Sequence, residues 1–190
     1  MNLNYPLVLA SNSPRRQLLL MGAGMVFSVK TKNIPEDFPA AMPVMDVPVY
    51  LAEKKARAFA EEVENEIIIA ADTVVIIKGQ ILNKPQDEKE AFDMLSLLSG
   101  QKHEVVTGVC LFSRTKTVTF SDLTEVYFRK LSETEITFYV NNYRPFDKAG
   151  AYGAQEWMGM IAIEKIVGSY FNVMGLPVHL VYEHLKQWEI

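Results

Sequence analysis

Leu7-Val8-Leu9-Ala10-Ser11-Asn12-Ser13-Pro14-Arg15-Arg16 reads as three pieces in a row: an apolar strand over residues 7–10, a hydroxyl-rich turn, and the opening of a helix. Ser13 suits the N-cap, and Pro14 suits the first helical position, where its missing N–H costs nothing. Apolar residues 18–21 carry the helix until Gly22 stops it. The helix's unpaired amides and positive dipole end would face whatever lies above the strand. Arg15 and Arg16 occupy the first turn, where the dipole favours acids instead. A local rule broken in this way fits either an anion site or two solvated arginines.

Outward from that unit, the chain keeps alternating between strand and helix patterns. Residues 26–31 read as a second strand, and residues 34–48, with prolines at 35, 39, 43 and 48, as a long loop. A helix is expected over 49–63, with Ala52, Ala56, Phe59, Ala60 and Val63 on one face. Ile67–Ile77 is a strand run that turns at Lys78-Gly79 into 80–82. Asp87 to Glu90 has capping-box spacing, Ala91, Met94, Leu95 and Leu98 form the stripe behind it, and Ser99-Gly100 ends that helix. Residues 104–112 and 118–128 read as two long strands, expected as antiparallel neighbours. Ser132-x-x-Glu135 opens a helix to about Asn141, and glycine-rich 148–153 precedes a strand around 160–166. Gly175-Leu176-Pro177 leads into a closing helix with Val178, Val181, Tyr182, Leu185 and Trp188 inward. The order of elements implies an α/β fold with a mixed sheet. At 190 residues the simplest organisation is one domain over 1–190, with two lobes still compatible.

Composition narrows the function. A net charge of −4 argues against a general nucleic-acid binder, though local positive charge can still serve a small anion. Cys110 is the single cysteine, which excludes an internal disulfide framework and a thiolate metal cluster. Its place in the apolar run 105–112 makes it a buried, unreactive thiol. There is no signal-peptide pattern and no apolar run of membrane-spanning length, so the expectation is a soluble, cytoplasmic protein.

Asp72 is the sharpest anomaly, because it interrupts Ile67–Ile77 with no turn residue beside it. A carboxylate there must be paired, protonated, bound to a cation, or open to a cleft. Lys55 lies on the apolar stripe between Leu51 and Phe59, which fits either a snorkelling side chain or an inward charge. Lys84-Pro85 follows the short strand after Asp72, so Lys84 can project near the same strand end. The small-residue segment Lys148-Ala149-Gly150-Ala151-Tyr152-Gly153-Ala154-Gln155 suits close approach of a ligand, or a plain turn. His103, His179 and His184 show no ligand spacing and read as structural or surface residues.

Six segments occur in a telling order: Ser11 to Arg16, Ala52-Glu53-Lys54-Lys55-Ala56, Ala71-Asp72-Thr73, Lys84-Pro85, Ser99-Gly100-Gln101-Lys102-His103, and Asp147-Lys148-Ala149-Gly150-Ala151-Tyr152-Gly153-Ala154-Gln155. Together, and with Asn172-Val173-Met174-Gly175-Leu176-Pro177 behind them, the chain resembles the Maf family of nucleoside triphosphate pyrophosphatases over nearly its whole length. The resemblance implies a mixed, elongated central sheet flanked by helices, an ITPase-like fold with a cleft between two lobes. It implies hydrolysis between the α- and β-phosphates of a nucleotide, a divalent cation (magnesium or manganese), a cytoplasmic setting and often a homodimer. Neither a nucleic-acid nor a membrane partner is implied.

By that resemblance Asp72 is the proton acceptor, and Arg15, Thr73 and Gln155 match positions tied to base choice in the dTTP/UTP branch. The branch acting on 7-methyl-GTP typically has tryptophan where this chain has Arg15. Arg16, Lys55, Lys84 and the turn at Ser11 and Ser13 would hold the phosphates. Asp72 and Glu36 would face the metal, with Asp37 a weaker substitute for Glu36. Gln155, with one donor and one acceptor end, suits the N3–H and carbonyl edge of uracil or thymine. Three departures stand out. Pro35-Glu36 replaces a commoner acid pair, Arg144-Pro145 replaces Glu-Pro, and Glu156-Trp157 follows Gln155 where a glycine is usual. Two alternatives remain: a nucleotide-binding regulator of septum formation and cell division, and a hydrolase with another base preference, such as 7-methyl-GTP.

Overall fold

The apolar run Ile67–Ile77 forms one strand, β3, with every residue buried except Thr73, which is half-buried. In the computed structural model, which describes residues 5–188, β1 (Leu7–Leu9) lies parallel to β3, with Leu7 opposite Ile67 and Leu9 opposite Ile69. The other edge of β1 pairs in parallel with β2 (Phe27–Val29). Parallel neighbours need a crossover, and α1 (Pro14–Gly22) supplies it between β1 and β2. Helix α2 (Val47–Arg57) leads on to β3. At the far end of β3, Lys78 and Gly79 take φ of 51° and 77°. Two positive φ values in succession make a two-residue hairpin, which returns the chain as antiparallel β4 (Gln80–Leu82).

The remaining elements are α3 (Glu88–Leu98), β5 (Lys102–Phe112), β6 (Thr117–Phe128), α4 (Glu133–Tyr143), a 3₁₀ turn at Ala149–Ala151, α5 (Trp157–Ala162), β7 (Ile163–Val167), α6 (Tyr170–Val173), α7 (Val178–Leu185) and a 3₁₀ turn at Lys186–Trp188. The sheet runs β2-β1-β3-β5-β6-β7, with β4 on β3, and β6 pairs antiparallel with β7. Parallel and antiparallel pairs in one sheet make this the mixed α/β architecture the sequence implies.

The chain divides into two compact units. The first holds the described residues up to Thr73, with Thr107–Asp122 and those from Gly175 onward; the second holds Val74–Val106 and Leu123–Met174. The divisions fall within β3, β5 and β6, and each unit has a core of its own. In the first, Ala52, Ala56, Phe59 and Val63 pack on Val8, Ile68, Ala70 and Cys110. Burial pushes the Cys110 thiol up to about 12, so it stays protonated and unreactive. Gly108 is required here, because a β-carbon on it would lie 2.2 Å from the Pro48 carbonyl carbon and the Val49 nitrogen. In the second, Ala91, Met94, Leu95 and Leu98 of α3 meet Ile136, Tyr139 and Val140 of α4 over Val75, Ile77, Val105 and Val126. Both helices start on their expected caps: Asp87 accepts from the Glu90 amide at 2.8 Å, and Ser132 and Glu135 form a reciprocal capping box.

Four local expectations change. Helix α2 begins at Val47 and ends at Arg57; Phe59 and Val63 stay buried in the turns that follow, while Ala60 faces solvent. The strand expected over 160–166 starts at Ile163, and the residues before it form α5. A short apolar run does not separate the two states by periodicity. In α7, Val181 and Leu185 are buried, as is Trp188 beyond it, but Tyr182 is exposed. Helix α6 had no advance signal. Among the described residues, no helix is long and apolar enough to cross a membrane.

Candidate active site

The parallel register of β1 and β3 brings Ser11 alongside Ala71, two residues past the last paired positions. Arg16, on the first turn of α1, knits that junction together. Its Nη1 donates to the Ala71 carbonyl at 2.7 Å and to Ser11 Oγ at 3.4 Å, its Nη2 to Thr73 Oγ1 at 3.1 Å, and its Nε to the Gly175 carbonyl at 2.8 Å. A guanidinium has five N–H groups, so four of Arg16's are already committed to the protein. Ser13 caps α1 by accepting from the Arg16 amide at 3.5 Å, and Ser11 Oγ accepts from the Ser13 amide at 3.1 Å. Burial lowers the Arg16 pKa from its ordinary value, the nearby Asp72 charge opposes that shift, and Arg15 adds to it.

Strand alternation sends Asp72 to the same face as Ile68 and Ala70, the face that packs on Ala52 and Ala56 of α2. Lys55 of α2 reaches it there. Lys55 Nζ lies 2.6 Å from Asp72 Oδ1 and 2.7 Å from Glu36 Oε1, which settles the two readings of Lys55 in favour of an inward charge. Asp72 is 8% exposed, so its carboxylate depends on that ammonium. The next lysine back, Lys54, pairs with Asp37 at 2.6 Å and holds that exposed carboxyl below the usual range by its hydrogen bond. Glu36 and Asp37 are thus divided between two lysines, and Glu36 is the one that shares its lysine with Asp72.

Thr73 points to the opposite face. Besides Arg16, its hydroxyl meets Thr107 Oγ1 at 2.9 Å and the Gly175 carbonyl at 3.4 Å. Thr107 is fully buried in β5 and belongs to this arrangement, yet the sequence reading passed over it. A polar residue inside the apolar run 105–112 was the available signal, the same kind that exposed Asp72. Ser11, Ser13, Arg15, Arg16, Glu36, Lys55, Asp72 and Thr73 all belong to the first unit.

Lys84 and Gln155 belong to the second unit, where Lys84 is exposed just after β4. Gln155 is half-buried, and its Oε1 is buried with no hydrogen-bond partner. Its neighbour Glu156 is held at both oxygens. Lys148 Nζ lies 3.1 Å from Oε1, and the Tyr139 hydroxyl donates to Oε2 at 2.6 Å while accepting from the Gly153 amide at 3.3 Å. Burial and the Glu156 carboxylate raise the Tyr139 pKa well above its ordinary value, so the phenol stays a donor. Lys148 also meets Asp147 at 2.6 Å. His103 bonds Tyr152 through Nε2 at 2.7 Å, and burial brings its pKa down to about 3, so it is a neutral structural histidine.

Comparison with known proteins gives the family. Residues 6–188 match the family described as Maf-like protein. Among similar proteins, one named dTTP/UTP pyrophosphatase from Porphyromonas gingivalis is 51% identical over 188 residues, spanning 97% of this chain and 94% of that protein. Proteins of the same name from Cytophaga hutchinsonii (47% over 184 residues; 97% and 84% covered) and Bacteroides fragilis (46% over 185 residues; 96% and 96% covered) are also similar. A solved structure, that of the Staphylococcus aureus Ham1 protein, shares the fold at a TM-score of 0.54 and 15% identity, covering 96% of this chain and 98% of the other. With a family match over nearly its full length and relatives at about half identity, this chain is a member of the Maf family.

Proposed function

We propose that this protein hydrolyses the α–β phosphoanhydride of dTTP and UTP, and of modified pyrimidine triphosphates, giving the nucleoside monophosphate and pyrophosphate. The observation that carries the reading is Lys55 held between Asp72 and Glu36. That arrangement keeps a charged carboxylate in an otherwise apolar strand and leaves one of its oxygens for chemistry. Oδ1 accepts from Lys55, and Oδ2 takes no hydrogen bond among the described residues. Asp72 Oδ2 is therefore assigned the proton of the water that attacks the phosphorus.

Phosphate oxygens are assigned to the amides at the start of α1, the hydroxyls of Ser11 and Ser13, Lys55, Lys84 and the remaining Nη2 N–H of Arg16. Since most of Arg16 is spent on Ala71, Ser11, Thr73 and Gly175, its larger task is to hold the junction in shape. Arg15, Thr73 and Gln155 are assigned to base choice. The buried, unpartnered Oε1 of Gln155 suits a donor such as the ring N–H of uracil or thymine.

The donor set fits a magnesium or manganese ion. Glu36 and Asp72 offer hard carboxylate oxygens within reach of the same nitrogen. An ion held by one or two carboxylates, and completed by phosphate and water, is the pattern magnesium favours. When bound, it would neutralise phosphate charge and lower the pKa of a coordinated water.

A nucleotide-pool substrate puts the enzyme in the cytoplasm, and a homodimer is part of the same proposal, checked by light scattering. The test of function is to incubate the pure protein with magnesium and UTP, dTTP, CTP, GTP or 7-methyl-GTP, and to assay pyrophosphate and orthophosphate separately. Pyrophosphate from UTP and dTTP is expected. Binding without release would point to a nucleotide-responsive regulator, and release from 7-methyl-GTP alone to the other branch.

A further inference from the structure

The segment that carries Gln155 is anchored along its length. The Gly150 amide donates to the Asn83 carbonyl at 3.2 Å, and the Tyr152 hydroxyl bonds His103 at 2.7 Å. Residues 153–156 then close a turn, in which the Glu156 amide donates to the Gly153 carbonyl at 3.1 Å. Gln155 sits inside that turn. The Tyr139 hydroxyl spans it, accepting from the Gly153 amide at 3.3 Å and donating to Glu156 Oε2 at 2.6 Å. A hydroxyl has one proton, and this polarity satisfies both partners. Tyr139 is itself fixed, being fully buried in the core of the second unit. Lys148 holds the other Glu156 oxygen at 3.1 Å. Helix α5 also meets the turn: a β-carbon on Gly159 would lie 2.0 Å from the Ala154 carbonyl oxygen, so the two backbones approach through a bare Cα. The protein thus fixes the backbone on either side of Gln155, while the buried Oε1 of Gln155 has no hydrogen-bond partner.

We infer that Tyr139 is a positioning residue for base recognition: its hydroxyl bonds both flanks of Gln155 and holds that residue's backbone in place for the base. The inference rests on the reading of Gln155 as the base contact. Without the hydroxyl, the Gly153 N–H and Glu156 Oε2 both lose a partner, and the turn must shift to satisfy them. A contact made from a shifting backbone is weaker, because a binding group has to be held by its supporting residues before the ligand arrives. The groups assigned to phosphate are on other elements, so the loss should fall on the base alone.

The test compares the parent with Tyr139→Phe, Gln155→Ala and the double variant. Calorimetry with magnesium gives Kd for UMP and, separately, for inorganic pyrophosphate, which has no base. Tyr139→Phe should weaken UMP about fivefold, the factor of one hydrogen bond, and leave pyrophosphate unchanged. In the Gln155→Ala background the same change should add nothing, since a residue that acts through Gln155 has no effect once Gln155 is gone. With UTP as substrate, the loss should fall in KM with kcat held, because a base contact is made equally in ground and transition states. Circular dichroism checks the fold; if Tyr139→Phe does not fold, Glu156→Ala, which removes the turn's other anchor, decides by the same comparison. A folded Tyr139→Phe protein that binds UMP as the parent does overturns the inference, as does one that loses UMP and pyrophosphate equally or adds its full loss to that of Gln155→Ala. Gln155→Ala without effect on UMP overturns the reading of Gln155, and the inference with it.

Discussion

Replacing Arg16 with alanine separates two roles the same side chain can play. Its guanidinium makes two short bonds to main-chain carbonyls, 2.7 Å to Ala71 and 2.8 Å to Gly175, and two longer ones to the hydroxyls of Thr73 and Ser11. A hydrogen bond from a charged donor contributes about 1.5 kcal/mol at the low end of its range. Counting only the two short bonds, Arg16→Ala should destabilise the protein by about 3 kcal/mol. For a chain of this size that is a drop of roughly 6–12 °C in Tm. Arg16→Lys keeps the charge but loses the planar fork, so it should fall between the parent and alanine. Urea unfolding, followed by circular dichroism without nucleotide, is the assay, with the m-value checked for constancy. An alanine variant within about 0.5 kcal/mol of the parent, combined with a large rise in KM, would refute the reasoning. It would make Arg16 a phosphate ligand that the fold does not need.

Lys55→Met leaves the carboxylate of Asp72 buried without its cation, and should cost about 3 kcal/mol. The double variant with Asp72→Asn should recover much of that loss, a coupling read from a denaturation cycle. His103 predicts a pH dependence. Its folded pKa is about 3 against an ordinary 6.5, so between those values the unfolded state binds the extra proton. Stability from this group is therefore complete above about pH 6.5 and falls by about 1.4 kcal/mol per unit below it. Urea midpoints measured from pH 7 to 5 should show that slope, and His103→Gln should remove it.

Much of the architecture was legible because the strands and caps are locally consistent. Ile67–Ile77 and the stripe of α3 fall where the pattern puts them, since periodicity and cap chemistry agree there. Asp72 was visible for the opposite reason: one carboxylate broke an apolar run. Lys55 could be noticed but not resolved, because its partners Glu36 and Asp72 come from other parts of the chain. The Lys148–Glu156–Tyr139 arrangement was beyond reach for the same reason. Tyr139 sits on a helix opened by its own capping box, and no pattern within that helix announces a bond to Glu156. Thr107 is the true omission, a buried hydroxyl in an apolar strand that holds Thr73 in place. The end of α5 reads as strand because Met160, Ile161 and Ala162 carry no cap or period long enough to decide.

The central claim is that Asp72 takes the proton of the attacking water, and Asp72→Asn tests it most directly. With magnesium and UTP, the parent should release pyrophosphate and UMP. The asparagine variant should turn over at least about 100-fold more slowly, while a calorimetric titration still shows nucleotide binding. An Asp72→Asn protein that releases pyrophosphate at the parental rate would contradict the account.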